Sequence, residues 1–331
     1  MRKKKCMKTD ILFSVVVPTY KSFFLKECID SILLQSYTNF ELIIVNDASP
    51  ENIDEIVSSY SDERIKYYVN EKNCGAVDVV DNWNKCLEYS SGNYIICMGD
   101  DDKLLPNCLS EYAELIRKHP NLGVYHAWTE IIDEKSAFYE LQSPRPEWES
   151  CMSLLWNRWN WRNRQYIGDF CFSVPVLKEI GGFIKFPLAW ASDDITAVKC
   201  AQFGGVANTQ TLCFQYRQNR YTISSVGKID CKLEAVNLEK KWYVSFLKDY
   251  GKYIEDSVPD NFLDTEKKIL KLVQGGLEQR FLYKQKMELI KDMTVCLWNV
   301  FFWARNFEKY NITKKTLLVS FFYAIIKRVT K

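Results

Sequence analysis

Residues 94–102, Tyr94-Ile95-Ile96-Cys97-Met98-Gly99-Asp100-Asp101-Asp102, pass from an unbroken apolar run straight into three consecutive acids. An apolar run of this length bounded by glycine reads as a buried strand, so its far end delivers three carboxylates to the rim of a sheet. Adjacent like charges repel, and a divalent cation relieves that repulsion. Hard carboxylate oxygens suit Mg2+ or Mn2+. The alternative is an acidic helix start, because Lys103-Leu104-Leu105-Pro106 and a helix-like segment follow.

Upstream, the same form repeats. Ile11 to Val17 is a β-branched run stopped by Pro18-Thr19-Tyr20, followed by helical spacing through Leu25, Cys28, Ile29, Ile32 and Leu33. Glu41 to Val45 ends in Asn46-Asp47-Ala48-Ser49-Pro50, and Ile65 to Val69 ends in a turn from Asn70 to Gly75. A helix then carries Val79, Val80, Trp83 and Leu87 up to Gly92. Strands alternating with helices predict an α/β fold with a mostly parallel sheet and right-handed crossovers. In such sheets ligands gather at the carboxyl ends of the strands, here at Thr19-Tyr20, Asp47, Asn73 to Gly75 and the acid triplet. Neither a Gly-x-Gly-x-x-Gly fingerprint nor a Gly-x-x-x-x-Gly-Lys-Ser/Thr loop is present, which argues against a dinucleotide site and a P-loop.

The ordered pieces Val-Val-Pro-Thr-Tyr, Ile-Ile-Val-Asn-Asp-Ala-Ser, Asn73-x-Gly75 with Asn82, and Ile-x-Met-Gly-Asp-Asp-Asp resemble the family 2 glycosyltransferases of GT-A fold. The similarity continues through Val174-Pro175, Gly181-Gly182-Phe183, Ala191-Ser192-Asp193-Asp194, Tyr216-Arg217 and Ser224-Ser225, covering roughly residues 11–226. It implies a GT-A catalytic domain over residues 8–230 and an inverting, nucleotide-sugar-dependent transferase of polysaccharide biosynthesis. By the resemblance, Pro18, Thr19 and Tyr20 shape the base site with Tyr20 stacking on the base, Asp47 accepts its imide N–H, and Asn73, Gly75 and Asn82 belong to the same nucleotide-sugar site. Asp100 lies near the ribose and Asp101 ligates Mn2+ or Mg2+, with Asp102 second. The family's Asp-x-Asp-Asp places an acid where this chain has Gly99, so the division of labour within the triplet is open. Arg217 or Arg220 would help hold the leaving diphosphate, and a His often seen near that position is absent.

Inverting transfer needs a general base for the acceptor hydroxyl. Only His119 and His126 exist, so a carboxylate is the realistic base, and the scarcity also argues against a His-based zinc site or a Ser-His-Asp triad. The family places its base at Asp193-Asp194. Alignment of Lys199 points to Asp193, with Asp194 the alternative, and the competing reading makes both a helix cap. Trp159, Trp161 and Arg162 lie in an aromatic and arginine-rich stretch, Trp148 to Tyr166, that reads either as an acceptor-binding flap or as an amphipathic helix packed on the sheet.

The chain of 331 residues exceeds one average domain, and its net charge of +2 argues against nucleic acid as a partner. Twelve singly scattered cysteines without a Cys-x-x-Cys pair read as free thiols in a reducing cytoplasm. The basic, apolar start is interrupted by Asp10 and reads as a strand rather than a signal. Asn311-Ile312-Thr313 is a formal glycosylation sequon, discounted in a cytoplasmic chain.

From residue 231 to 331 the pattern turns helical. The apolar core Leu317 to Ile326 is short for a bilayer span of roughly 20 residues, while Lys314, Lys315, Lys327 and Arg328 flank it. This predicts a membrane-associating module on the inner face of the cell membrane, with a homodimerisation module as the competing reading. The expected activity is metal-dependent transfer from a UDP-sugar to a growing, lipid-linked glycan of surface polysaccharide. The rivals are a non-catalytic nucleotide-sugar scaffold and a sugar-1-phosphate nucleotidyltransferase, although the glycine-rich basic loop of the latter is missing near Val15 to Lys21.

Overall fold

The computed structural model describes residues 11–219 and 228–330. The described residues divide into two compact units: 11–74 with 81–184 and 193–219, and 75–80 with 185–192 and 228–330.

The first unit is built on one sheet. Its elements begin with β1 (Phe13–Thr19), α1 (Leu25–Leu33), β2 (Phe40–Asn46), α2 (Ile53–Ser58), β3 (Ile65–Val69), α3 (Val79–Tyr89) and β4 (Tyr94–Cys97). β5 (Lys103–Leu104), α4 (Cys108–Lys118), β6 (Val124–Ile132), β7 (Phe138–Leu141), β8 (Trp148–Glu149) and α5 (Cys151–Trp159) follow. β9 (Phe170–Ser173), α6 (Val174–Glu179), α7 (Ser192–Ala201) and β10 (Val206–Arg217) complete it.

The ten-stranded sheet runs in the order β3-β2-β1-β4-β9-β6-β10-β5, with β7 beside β6 and β8 beside β10. The pairings β3 to β2, β2 to β1, β1 to β4 and β6 to β10 are parallel, whereas β9 is antiparallel to both β4 and β6. The expected mostly parallel centre is therefore present, with antiparallel β9 inserted at its middle and the short strands β5, β7 and β8 pairing antiparallel with β10, β6 and β10. Continuous burial along β1 and β2 follows from their central place, and it is why they read as unbroken apolar runs. α1 turns Leu25, Cys28, Ile29 and Ile32 onto the sheet, the spacing of one helical face.

β1 tolerates Pro18 because of where β4 stops. The β1–β4 register ends at Val16 with Cys97, so no ladder partner waits for the N–H that proline lacks. Glu41 of β2, buried in the sheet, takes hydrogen bonds from Ser14, Ser91 and Lys66. All described cysteines are free.

The second unit is helical, with α8 (Ile229–Ser257), α9 (Asp260–Val295), α10 (Asn299–Asn306) and α11 (Lys314–Val329). Leu233, Leu289, Met293, Trp303, Tyr310, Leu317 and Ala324 form its core. Thr313 caps α11 by accepting from the Thr316 N–H, and Trp303 donates its indole N–H to Asp292 at 2.8 Å. No described helix is long and apolar enough to cross a membrane.

Candidate active site

The turn after β1 is shaped by a carboxylate from the end of β4. Asp100 Oδ2 accepts from Thr19 Oγ1 at 3.0 Å, from the Tyr20 N–H at 2.9 Å and from the Lys21 N–H at 3.0 Å. This fixes the backbone at the rim and leaves the Tyr20 ring 43% exposed, available to a flat ligand rather than packed in the core.

At the end of β2, Asp47 donates its N–H to the Thr19 carbonyl, and its buried carboxylate reaches the next loop. Asp47 Oδ1 accepts from Asn70 Nδ2 at 2.7 Å and from the Cys74 N–H at 3.0 Å, while Asn73 donates to the Asp47 carbonyl at 2.9 Å. The Asx turn at this corner belongs to Asn46, whose Oδ1 accepts from the Ser49 N–H at 2.9 Å. Asp47 is thus a rim carboxylate held in place by a neighbouring loop. Gly75 follows that loop at φ 76°, a left-handed conformation that glycine adopts without cost.

The three acids divide their work. Asp100 holds the β1 turn, and Asp102, nearly fully buried, accepts the Arg217 N–H at 2.9 Å. Asp101 accepts from Asn219 Nδ2 at 2.6 Å through Oδ2. None of them starts a helix, because β5 intervenes and α4 begins only at Cys108. Burial raises the carboxyls of Asp100 and Asp102, and burial with the charge of Asp100 pushes Asp101 up to about 6.

Clustered, partly desolvated acids of this kind are the electrostatic complement of a cation. Among the described residues no group of three His, Cys, Asp or Glu side chains converges into a cage. Carboxylate oxygens at a strand end are hard donors of the kind that suit Mg2+ or Mn2+. Asp101 is the residue that would hold such an ion first, with Asp102 behind it.

A second pair of acids opens α7. Asp194 receives Arg158 Nε at 2.8 and 3.0 Å on its two oxygens and Gln165 Nε2 at 2.8 Å, and it donates its own N–H to Asp193 Oδ1 at 2.8 Å. Asp194 is in this way engaged by a cation and an amide. Burial and then the charge of Asp194 push the Asp193 carboxyl up to about 7. A carboxyl in that range is suited to receive a proton from a hydroxyl at neutral pH.

Tyr216 lies partly buried near these acids. Burial raises its phenol above the ordinary range, followed by the charges of Asp102, Asp101 and Asp193, so it lies within electrostatic reach of both groups. Its ring stacks on Tyr166 with centroids 3.5 Å apart. Behind them Asp169 accepts from Thr129 Oγ1 and the Tyr166 N–H, and burial pushes its carboxyl up to about 8.

Three residues expected at the site have other work. Arg217 is fully buried, and its guanidinium donates to the Asp101 and Asp133 carbonyls, Ser136 Oγ and Glu27, so it ties the site together from behind rather than facing a diphosphate. Asn82 is 2% exposed, and its Oδ1 accepts from Asn70 at 2.9 Å, which makes it a support for the Asp47 loop. Trp159 is packed inside at the end of α5, whereas Trp161 and Arg162 are exposed. Arg220 and Ser224-Ser225 lie outside the described residues.

Sequence reasoning passed over Asn70, Gln165 and Asn219, and it read Arg158 only as one of the arginines of the stretch Trp148 to Tyr166. Asn219 stands two residues beyond Arg217 and was visible as a polar side chain next to a motif. The other three act through partners 23 to 36 residues away, which spacing alone does not reveal.

The family described as Glycosyl transferase family 2 matches residues 14–181. The chain is 26% identical over 219 residues to the Escherichia coli UDP-Glc:alpha-D-GlcNAc-diphosphoundecaprenol beta-1,3-glucosyltransferase WfgD, spanning 65% of this chain and 81% of that one. It is 38% identical over 125 residues to the putative colanic acid biosynthesis glycosyl transferase WcaA of Escherichia coli K12, covering 37% of this chain and 42% of WcaA. Among solved structures, S. aureus TarS 1-349 in complex with UDP-GlcNAc superposes with a TM-score of 0.61 at 16% identity, covering 97% of this chain and 93% of that one.

Proposed function

The chain belongs to the family 2 glycosyltransferases and has their GT-A fold, and from that premise we propose that it transfers a sugar from a UDP-sugar, with inversion and with a divalent cation, to a lipid-linked glycan of surface-polysaccharide assembly. The observation that carries the reading is Asp193. It stands at the start of α7 beside Asp194, which Arg158 and Gln165 hold in place and whose N–H it accepts at 2.8 Å, and burial with the charge of Asp194 pushes its carboxyl up to about 7.

In this mechanism the Tyr20 ring stacks on the base, and Asp47 accepts its imide N–H. Asp100 keeps the β1 turn in shape beside the ribose. Asp193 takes the proton of the acceptor hydroxyl as that oxygen attacks the anomeric carbon, the bond to the diphosphate breaks on the opposite face, and UDP leaves with the electron pair. Asp101 and Asp102 would hold a divalent cation, which when bound would supply Lewis-acid stabilisation of the charge on the leaving diphosphate. A UDP donor and a glycosyl diphosphate acceptor are supported by the activity for which WfgD is named.

We place the enzyme at the inner face of the cell membrane through α10 and α11. Trp298, Phe301, Leu318, Phe322, Ile326 and Val329 are exposed there, and over residues 299–330 six basic residues face one acid, Glu308. Apolar side chains with surrounding positive charge suit an anionic lipid surface.

The function is tested by a donor-hydrolysis and transfer screen over UDP-, GDP- and dTDP-sugars with Mn2+, with and without lipid extract. Turnover confined to UDP-sugars is the expected result. Inactivity with every donor despite UDP binding would favour a nucleotide-sugar scaffold.

A further inference from the structure

The short segment after α5 is strained, exposed and anchored at both ends on one carboxylate. Arg158 and Gln165 both bond to Asp194, so the chain between them closes a loop beside the acid next to Asp193. The helix ends in a Schellman turn: the Arg162 N–H reaches the Asn157 carbonyl at 3.0 Å and the Trp161 N–H reaches the Arg158 carbonyl at 3.3 Å. The residue such a turn puts in the left-handed region is usually glycine. Here it is Trp161, at φ 58° and 67% exposed. A bulky aromatic held in that conformation in water costs stability and recovers nothing by packing, the pattern expected where the side chain serves a ligand.

Charge points to the ligand. Residues 158–164 carry three arginines and no acid. Arg158 is paired with Asp194 and Arg164 with Glu140, whereas among the described residues no acid pairs with the exposed Arg162. Resting on the transferase reading above, we propose that Trp161 and Arg162 form the acceptor subsite: the Trp161 ring stacks on the acceptor sugar, and the Arg162 guanidinium forks onto the diphosphate that joins this sugar to its carrier. An aromatic face orients a pyranose ring without naming its hydroxyls, and the guanidinium selects a glycosyl diphosphate over a neutral glycoside.

The test compares a short-tailed alkyl GlcNAc diphosphate with the matching alkyl GlcNAc, at saturating UDP-sugar for turnover and with UDP for calorimetric binding. Trp161→Ala should raise the acceptor KM about tenfold for both analogues. Arg162→Ala should raise it about tenfold or more for the diphosphate alone. Trp161→Gly should raise Tm while weakening acceptor binding, because glycine accepts the left-handed conformation. Unchanged acceptor KM in Trp161→Ala, or a Tm that falls in Trp161→Gly with acceptor binding intact, would overturn the proposal. Should the wild type bind UDP yet neither bind nor turn over either analogue, the subsite is overturned and the donor reading stands. Absence of UDP binding would instead remove the proposed function itself.

Discussion

Arg217 donates its main-chain N–H to the Asp102 carboxylate at 2.9 Å and its Nε to the Asp101 carbonyl at 2.7 Å, so one residue at the end of β10 holds two consecutive acids at the end of β4. The rest of its guanidinium reaches the Asp133 carbonyl, Ser136 and Glu27. A lysine cannot reproduce that fork. Arg217→Lys should lose about 3 kcal/mol of stability, the scale of breaking a buried hydrogen-bonded cation, read from the urea midpoint. An unchanged midpoint with weakened UDP binding would return Arg217 to a place against the diphosphate.

Asp100 and Asp102 accept main-chain N–H groups of the β1 turn and of Arg217, whereas Asp101 is met by the side chain of Asn219. Asp101→Asn should therefore abolish the Mn2+ dependence of UDP binding, measured by calorimetry, with Tm nearly unchanged. Persistence of that dependence would move the ion to Asp102 or remove it.

How much of this could be read beforehand depended on the range of the interactions. The ends of β1, β2 and β4 were legible because strands buried on both faces are continuous apolar runs that stop where they reach the rim. β9 was not, since four residues between a single helical turn and α6 carry no usable period. Trp159 and Trp161 look alike in sequence, yet the helix ends between them, so one is buried and the other exposed. Arg217 drew attention by its motif, but its partner Glu27 is 190 residues away.

Asp169 sets a pH dependence of opposite sign to ordinary acid denaturation. Its carboxyl is raised by burial to about 8, above the unfolded value of about 4. Between those values the folded state holds the extra proton, so this group's contribution to stability falls as pH rises from about 4 to about 8 and then levels. Asp169→Asn mimics the protonated form. Its Tm relative to wild type should rise across that window, followed by thermal melts at pH 5, 7 and 8.5, and a flat difference would show that Asp169 is ionised throughout.

Exposed Leu318, Phe322, Ile326 and Val329 fall on one stripe of α11, while Leu317, Ser320 and Ala324 face inward. Phe322→Asp with Ile326→Asp should thus keep the fold and release the protein from phosphatidylglycerol-containing vesicles, and salt should weaken wild-type binding. A variant that converts a dimer to a monomer with vesicle binding unaltered would assign the stripe to a second copy.

The last two acids test one another. Asp193→Asn removes the proposed base, and loss of a general base typically costs about 10² to 10⁴ in rate, so kcat at saturating donor should fall by that factor with Tm nearly unchanged. Asp194→Asn leaves the base but breaks the contact with Arg158, and its first effect should be a loss of about 1 to 3 kcal/mol in stability. It also removes the neighbouring charge that helps hold Asp193 at about 7. A base must be ionised to act, so wild-type kcat should decline below about pH 7. In Asp194→Asn the carboxyl of Asp193 ionises more easily, and the same limb should move to lower pH. The pH profiles of kcat for the two variants decide the assignment: a limb that stays in place in Asp194→Asn, together with near-normal turnover in Asp193→Asn, would take the base away from Asp193.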